Sequence, residues 1–174
     1  MNLNPSDVIE ANLKALQVQS DDFFAYYNLA KAYEFHGQVA QACVAYQKAV
    51  ALNPEDPYAQ FALGKLYSRM GQTQEARFCF QRVIASHSPH IPAHLSLASL
   101  LIREGAYEEA IPRLKKIIAL DPDFHQAYFY LCQVFGKIGF QKEAIEQINL
   151  ALELNPGNYY YYFLKDLLLQ RCLF

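Results

Sequence analysis

Several patterns that identify whole classes of protein are missing from this sequence of 174 residues. Its four cysteines form no C-x-x-C pair, so there is no zinc signature and no convincing disulfide framework. No apolar run approaches the roughly 20 residues that a transmembrane helix needs, and residues 1–7 lack a basic region followed by an apolar core. We therefore expect reduced, packed thiols, no membrane insertion, and an intracellular, cytoplasmic location.

The net charge and the absence of catalytic motifs exclude further classes of protein. The formal net charge is −2, so no overall field attracts nucleic acid. The sequence contains no G-x-x-x-x-G-K, G-x-G-x-x-G, H-E-x-x-H or G-x-S-x-G motif. His87 and His90 lie in an irregular connection that we expect from Ala85 to Pro92, with His94 just beyond it. No cysteine or acidic residue joins these histidines, so we interpret them as a loop and a buried ring rather than a metal site. The sequence predicts no enzyme activity, no cofactor and no metal.

What the sequence does contain is an internal repeat. Three columns recur every 34 residues: a glycine column (Gly37, Gly71, Gly105, Gly139), an alanine column (Ala42, Ala76, Ala110, Ala144) and a leucine column (Leu29, Leu63, Leu97, Leu131). Each repeat has two stretches of about 14 residues with apolar positions at i, i+3, i+4 and i+7, typical of amphipathic helices. The glycine lies between the stretches, where the end of a helix commonly needs a left-handed residue. A proline column (Pro54, Pro122, Pro156) follows the second stretch.

The columns resemble those of the tetratricopeptide repeat family, with its aromatic-x2-Leu-Gly-x2-Tyr, Ala-x3-Phe and Pro pattern. In the first repeat the matching residues are Tyr26, Leu29, Tyr33, Ala42, Tyr46 and Pro54. The resemblance implies an all-α, right-handed α-solenoid in a single domain. We predict a half-repeat over 6–20, repeats over 23–56, 57–90, 91–124 and 125–158, and a terminal helix over 159–172. Ser6 or Asp7 should cap the first helix, and Pro112 should bend its helix without breaking it.

In this family the first helix of each repeat lines a concave groove. The fifth places of these helices form an apolar, mostly aromatic ladder, and the six groove-facing places hold six basic residues and one acidic residue, Glu34. We predict that the groove binds an extended acidic or mixed-character segment of a protein partner. The candidate residues are Tyr27, Lys31, Phe61, Lys65, Arg69, Leu95, Arg103, Phe129 and Lys137. A second interpretation stays open, in which these side chains only cover and support neighbouring helices.

Two better-defined uses of such a groove fit less well. The family's clamp for the acidic tail of chaperones is not reproduced, because the matching positions in one frame are Tyr27, Lys31, Ala62, Pro92 and Ser96. RNA binding through the groove is disfavoured by the negative net charge and the lack of a broad basic patch.

The terminal helix suggests an alternative function. It is apolar nearly all round, whereas the last helix of a repeat array should be polar on its outer side. A longer array, a second copy of the chain or a partner could cover it. The chain would then act as an assembly or oligomerisation element, for example the accessory repeat region of a larger protein or complex. The candidate residues for this contact are Tyr160, Phe163, Leu164, Leu167, Leu168 and Arg171.

Overall fold

The computed structural model describes residues 5–87 and 89–171, with their side chains except those of Pro5 and Arg171. Within these ranges every regular element is an α-helix, which confirms the predicted all-α class. The described residues fall into two compact units that meet in sequence at residues 88 and 89. We call them the N-terminal unit and the C-terminal unit and describe each by itself.

The N-terminal unit consists of one leading helix and two helix pairs. Its helices are α1 (Pro5–Val18), α2 (Phe23–Phe35), α3 (Val39–Leu52), α4 (Pro57–Arg69) and α5 (Thr73–Ser86). Helix α2 packs against α3, α4 packs against α5, and α1 packs against α2. One pair cannot cover its own apolar face, so neighbouring pairs must pack on one another, and α3 accordingly contacts α4.

Local chemistry explains where these helices begin and end. Asp22 Oδ1 accepts hydrogen bonds from the backbone N–H groups of Phe24 and Ala25, at 2.9 and 3.1 Å, and so caps α2. The predicted left-handed column is confirmed, because all four glycines have positive φ, at 71°, 76°, 77° and 87° along the chain. An L side chain is strained in that conformation, so glycine is the residue that lets each first helix stop and turn.

Helices α4 and α5 approach each other closely at Gly64 in the core of the N-terminal unit. Gly64 lies where an added Cβ would be 2.8 Å from Phe80 Cε1 and 2.9 Å from Cys79 Cβ. Ala30 occupies the same column one repeat earlier and is fully buried. The large side chains of Tyr46 and Phe80 fill the remaining space and are buried as well.

The C-terminal unit repeats this arrangement. Its helices are α6 (Ile91–Glu104), α7 (Tyr107–Leu120), α8 (His125–Lys137), α9 (Gln141–Leu154) and α10 (Tyr159–Arg171). Helix α7 continues through Pro112, as predicted. Helix α10 packs on α9, where Tyr161 and Leu168 join the buried cluster around Ile148.

Two local predictions were wrong in detail. Helix α1 begins at Pro5, so Ser6 and Asp7, which we expected to cap it, lie in its first turn. The irregular connection expected from Ala85 to Pro92 is shorter, because α5 continues to Ser86 and α6 begins at Ile91.

The structure also bears on two of the expected absences. His94 is buried in α6, and the described residues contain no group of three His, Cys, Asp or Glu side chains that could hold a metal ion. None of the described helices has the length and hydropathy needed to cross a bilayer.

Candidate functional site

Helices α2 and α4 border a cavity of about 470 Å³ in the N-terminal unit. Five of the predicted groove residues line it, namely Tyr27, Lys31, Phe61, Lys65 and Arg69. Their common placement follows from the repeat, since a 34-residue shift brings equivalent positions of two first helices side by side. We call this surface the first-helix face.

Two matched pairs of a lysine and an aromatic ring form the chemical core of this face. Lys31 Nζ lies 5.6 Å from the centre of the Tyr27 ring, and Lys65 Nζ lies 5.9 Å from the centre of the Phe61 ring. Each pair is four residues apart on one helix, so its two side chains share a side of that helix. Neither lysine forms an ion pair within the described parts of the chain. Both positive charges therefore remain available to a ligand.

Arg69 is in a different position because it already has a partner. Its Nη1 lies 2.8 Å from Glu34 Oε1, and the Tyr46 hydroxyl donates to Glu34 Oε2 at 3.2 Å. Burial, followed by the nearby Glu34 carboxylate, raises the pKa of Tyr46 well above its ordinary value, so this hydroxyl stays protonated. The one acidic residue of the predicted groove thus neutralises one of its basic residues, which the count of charges in the sequence could not show.

The remaining predicted groove residues lie in the C-terminal unit. Leu95 on α6 is half-buried against the core, while Arg103 and Lys137 are exposed at the ends of α6 and α8. The Phe129 ring stacks on Tyr161 with 5.1 Å between ring centres and meets Tyr160 edge-on at 5.8 Å. Phe129 therefore supports α10 in addition to lining a surface.

A second cavity, of about 300 Å³, lies beside α10 in the C-terminal unit. Lys137 from the predicted groove lines it together with Leu164, Leu167 and Leu168 from the predicted association surface. The structure thus brings together residues from the predicted groove and from the predicted association surface.

The predicted association surface on α10 needs a correction. Leu168 is only 4% exposed and packs in the core, so it mainly holds the helix in place and offers little surface to a partner. Leu164 is half-buried, whereas Tyr160 and Phe163 are 54% and 64% exposed. The side chain of Arg171 lies outside the described residues.

Helix α10 also departs from the other first helices in sequence. Lys165 stands where they have the leucine column, and Asp166 stands where they have Ala30, Gly64, Ala98 or Cys132. Asp166 thus places a charged side chain where the other first helices have the small residue of their close approach to the next helix.

The helical repeats and their small-residue contacts define a class of protein built from stacked helix pairs. Family models agree, since a TPR repeat model matches residues 36–71 and a tetratricopeptide repeat model matches residues 61–123 and 95–159. The second model covers more than half of the chain. The chain belongs to the tetratricopeptide repeat family, and a protein-interaction scaffold is the class of function that this membership supports.

Solved structures show the same fold. The crystal structure of MamA is 26% identical, with a TM-score of 0.81 over 85% of this chain and 86% of that chain. YrrB, described as a TPR protein with an unusual peptide-binding site, is 21% identical, with a TM-score of 0.77 over 92% and 82%. A tetratricopeptide repeat protein from Parabacteroides merdae is 17% identical, with a TM-score of 0.84 over 92% and 64%. A search of curated proteins found no match.

Proposed function

We propose that this chain is a non-catalytic scaffold that binds an acidic, mixed-character peptide segment of a protein partner along its first helices. The observation that carries the proposal is the pair of lysines that have no ion-pair partner among the described residues, each held over an aromatic ring at the edge of one cavity. Carboxylates of a ligand would approach Lys31 and Lys65, and its apolar side chains would contact Tyr27 and Phe61. The peptide-binding site named for YrrB supports this use of the fold.

The other predicted groove residues contribute to the proposed binding to different degrees. Arg69 contributes less charge than the two lysines, because Glu34 holds it at 2.8 Å. In the C-terminal unit, Leu95 and Phe129 would add apolar contacts, and Arg103 and Lys137 would add charge.

Selection from a random peptide library displayed on phage tests the proposal. The wild-type chain should enrich peptides that combine Asp or Glu with large apolar residues, and a Lys31→Glu, Lys65→Glu variant should lose that enrichment. A Lys48→Glu, Lys142→Glu variant is the matched control, because it makes the same charge change on exposed positions of α3 and α9. If the control loses the same peptides, net charge rather than the first-helix face explains the binding. Enrichment without acidic residues would refute the ligand class.

A second candidate function is assembly through α10, and the exposed aromatic side chains of this helix support it. Tyr159 is 86% exposed and Phe163 64%, near Tyr160 at the beginning of the helix. Contiguous apolar surface of this kind commonly marks an interface. Light scattering over a range of concentrations would show a rising mass for the wild type and a constant monomer mass for a Tyr160→Ser, Phe163→Ser variant.

The control for this experiment removes aromatic surface elsewhere. A Phe24→Ser, Phe140→Ser variant changes two exposed rings outside α10 and should associate like the wild type. A wild type that stays monomeric at every concentration would exclude this candidate.

A further inference from the structure

A second groove in the N-terminal unit shares no residue with the first-helix face. It has a volume of about 470 Å³ and is formed by α3, α4 and α5. We call it the second-helix groove. The residues that matter to its chemistry are Gln60, Leu63, Tyr67, Glu75, Phe78 and Arg82.

Gln60 gives this groove a buried acceptor. Its side chain is 3% exposed, and its Nε2 donates to the Pro54 carbonyl at 3.3 Å. Its Oε1 accepts no hydrogen bond from the described residues. Leaving a buried carbonyl oxygen without a donor costs free energy, and folded proteins rarely do so without a reason. This oxygen has almost no accessible surface in the structure, so a donor group bound in the groove reaches it when the Gln60 side chain turns toward the groove.

The charges around the groove favour a positive ligand. Glu75 is exposed at its edge and has no ion-pair partner within the described ranges. The cation that lines the groove, Arg82, is compensated, since its Nη2 lies 3.0 Å from Glu55 Oε1 and its guanidinium lies over the Phe78 ring at 5.9 Å. The balance of charge is therefore negative, and the buried acceptor adds to it.

The same groove occurs one repeat earlier without these polar features. It has a volume of about 370 Å³ and lies between α2 and α3. Tyr26 takes the place of Gln60 there, Gln41 that of Glu75, and Val44 that of Phe78. This first groove is apolar, with no carboxylate among its lining residues. The buried amide is therefore particular to the second-helix groove, whereas an acid recurs at the position of Glu75 in the later repeats, as Glu109 and Glu143.

We propose that the second-helix groove binds a lysine or arginine side chain of a partner segment. The aliphatic stem of that side chain packs against Leu63 and Phe78, and its N–H groups donate to Gln60 Oε1 and to the Glu75 carboxylate. This site takes the opposite charge from the first-helix face and does not depend on the function proposed for that face.

Nuclear magnetic resonance titration of the full chain with blocked tripeptides tests this site. The probes are acetyl-Leu-Lys-Leu-amide and acetyl-Leu-Arg-Leu-amide, each compared with acetyl-Leu-norleucine-Leu-amide, which keeps the stem and removes the donors. At least one basic probe should shift the backbone amide signals around Leu63 and Phe78. It should bind about fivefold more tightly than the norleucine probe, the effect of one hydrogen bond at about 1 kcal/mol.

Variants then assign the preference to the two acceptors. Glu75→Gln and Gln60→Leu should each reduce the preference for the basic probe. Gln41→Leu, at the position equivalent to Glu75 in the first groove, should leave it unchanged. Glu75 is exposed, so its variant keeps the test decisive even if the buried Gln60→Leu change disturbs folding. Equal binding of basic and norleucine probes, the absence of shifts at the groove, or a preference that survives Glu75→Gln would overturn the proposal.

Discussion

Gly64 and Gly136 both lie within first helices, but their surroundings differ. An added Cβ at Gly64 would lie 2.8 Å from Phe80 Cε1, whereas at Gly136 the nearest atom is Leu168 Cδ2 at 3.4 Å. Alanine favours a helix over glycine by up to about 1 kcal/mol, so the cost at Gly64 comes from packing and not from helix propensity.

We therefore expect opposite effects of the same substitution. Gly64→Ala should lower the free energy of unfolding by about 1–3 kcal/mol because Phe80 must move. Gly136→Ala should leave it unchanged or raise it by up to about 1 kcal/mol. Urea denaturation of the two variants and the wild type measures both values. A Gly64→Ala protein as stable as the wild type would contradict the close approach of α4 and α5.

The 34-residue repeat allowed the role of a residue to be predicted from its column. These predictions were most accurate where packing determines which residue type a column holds. The glycine positions and the small residues at the helix contacts follow directly from the 34-residue period. Pairing between side chains does not follow from it. The contact of Glu34 with Arg69 joins residues 35 positions apart and depends on the rotamers of two long side chains. The burial of Leu168 was missed although the 34-residue period places this residue in one column with Leu66, Leu100 and Val134, which are all buried.

At the scale of elements, α10 is held by a polar contact as well as by apolar packing. The Tyr161 hydroxyl lies 2.9 Å from His125 Nδ1, and His125 Nε2 lies 3.3 Å from Asn155 Nδ2. Tyr161 also stacks on Phe129. These contacts connect α10 to the beginning of α8 and to the residue that follows α9.

Removing the hydroxyl should loosen α10 without unfolding the unit. In a Tyr161→Phe variant, we expect amide hydrogen exchange in α10 to become about fivefold faster, the effect of losing one hydrogen bond of about 1 kcal/mol. Tyr162→Phe is the control, because Tyr162 is exposed on the same helix and its variant should exchange like the wild type. Unchanged exchange in Tyr161→Phe would show that apolar packing alone holds the helix.

The helices themselves were predictable because their apolar period and their glycine and proline stops agree. The exact first residues of the helices were harder to predict, as α1 and the connection before α6 show. Proline at the first position of α1 and at the second of α6 is compatible with a helix, since the first N–H groups of a helix have no partner within it. A rule that treats proline only as a stop therefore places the start of α1 too late.

At the scale of the whole molecule, the sequence predicted the family because repeated packing contacts determine its columns. It says far less about ligands. The residues of the first-helix face lie between those columns, where packing does not restrict the side chain. The second-helix groove was missed for a related reason, since Gln60 stands in a column with Tyr26, His94 and Tyr128, and the burial of its oxygen without a donor among the described residues is visible only in the structure.

The central claim is that Lys31 and Lys65 recognise acidic groups of a bound segment, and exchanging the charges tests it most directly. Fluorescence anisotropy would compare an acidic peptide selected by the wild-type chain with the same peptide carrying lysine in place of each acid. The wild type should prefer the acidic form, and the Lys31→Glu, Lys65→Glu variant should prefer the lysine form. If both proteins prefer the same peptide, the charges of this face do not select the ligand and the proposed function is wrong.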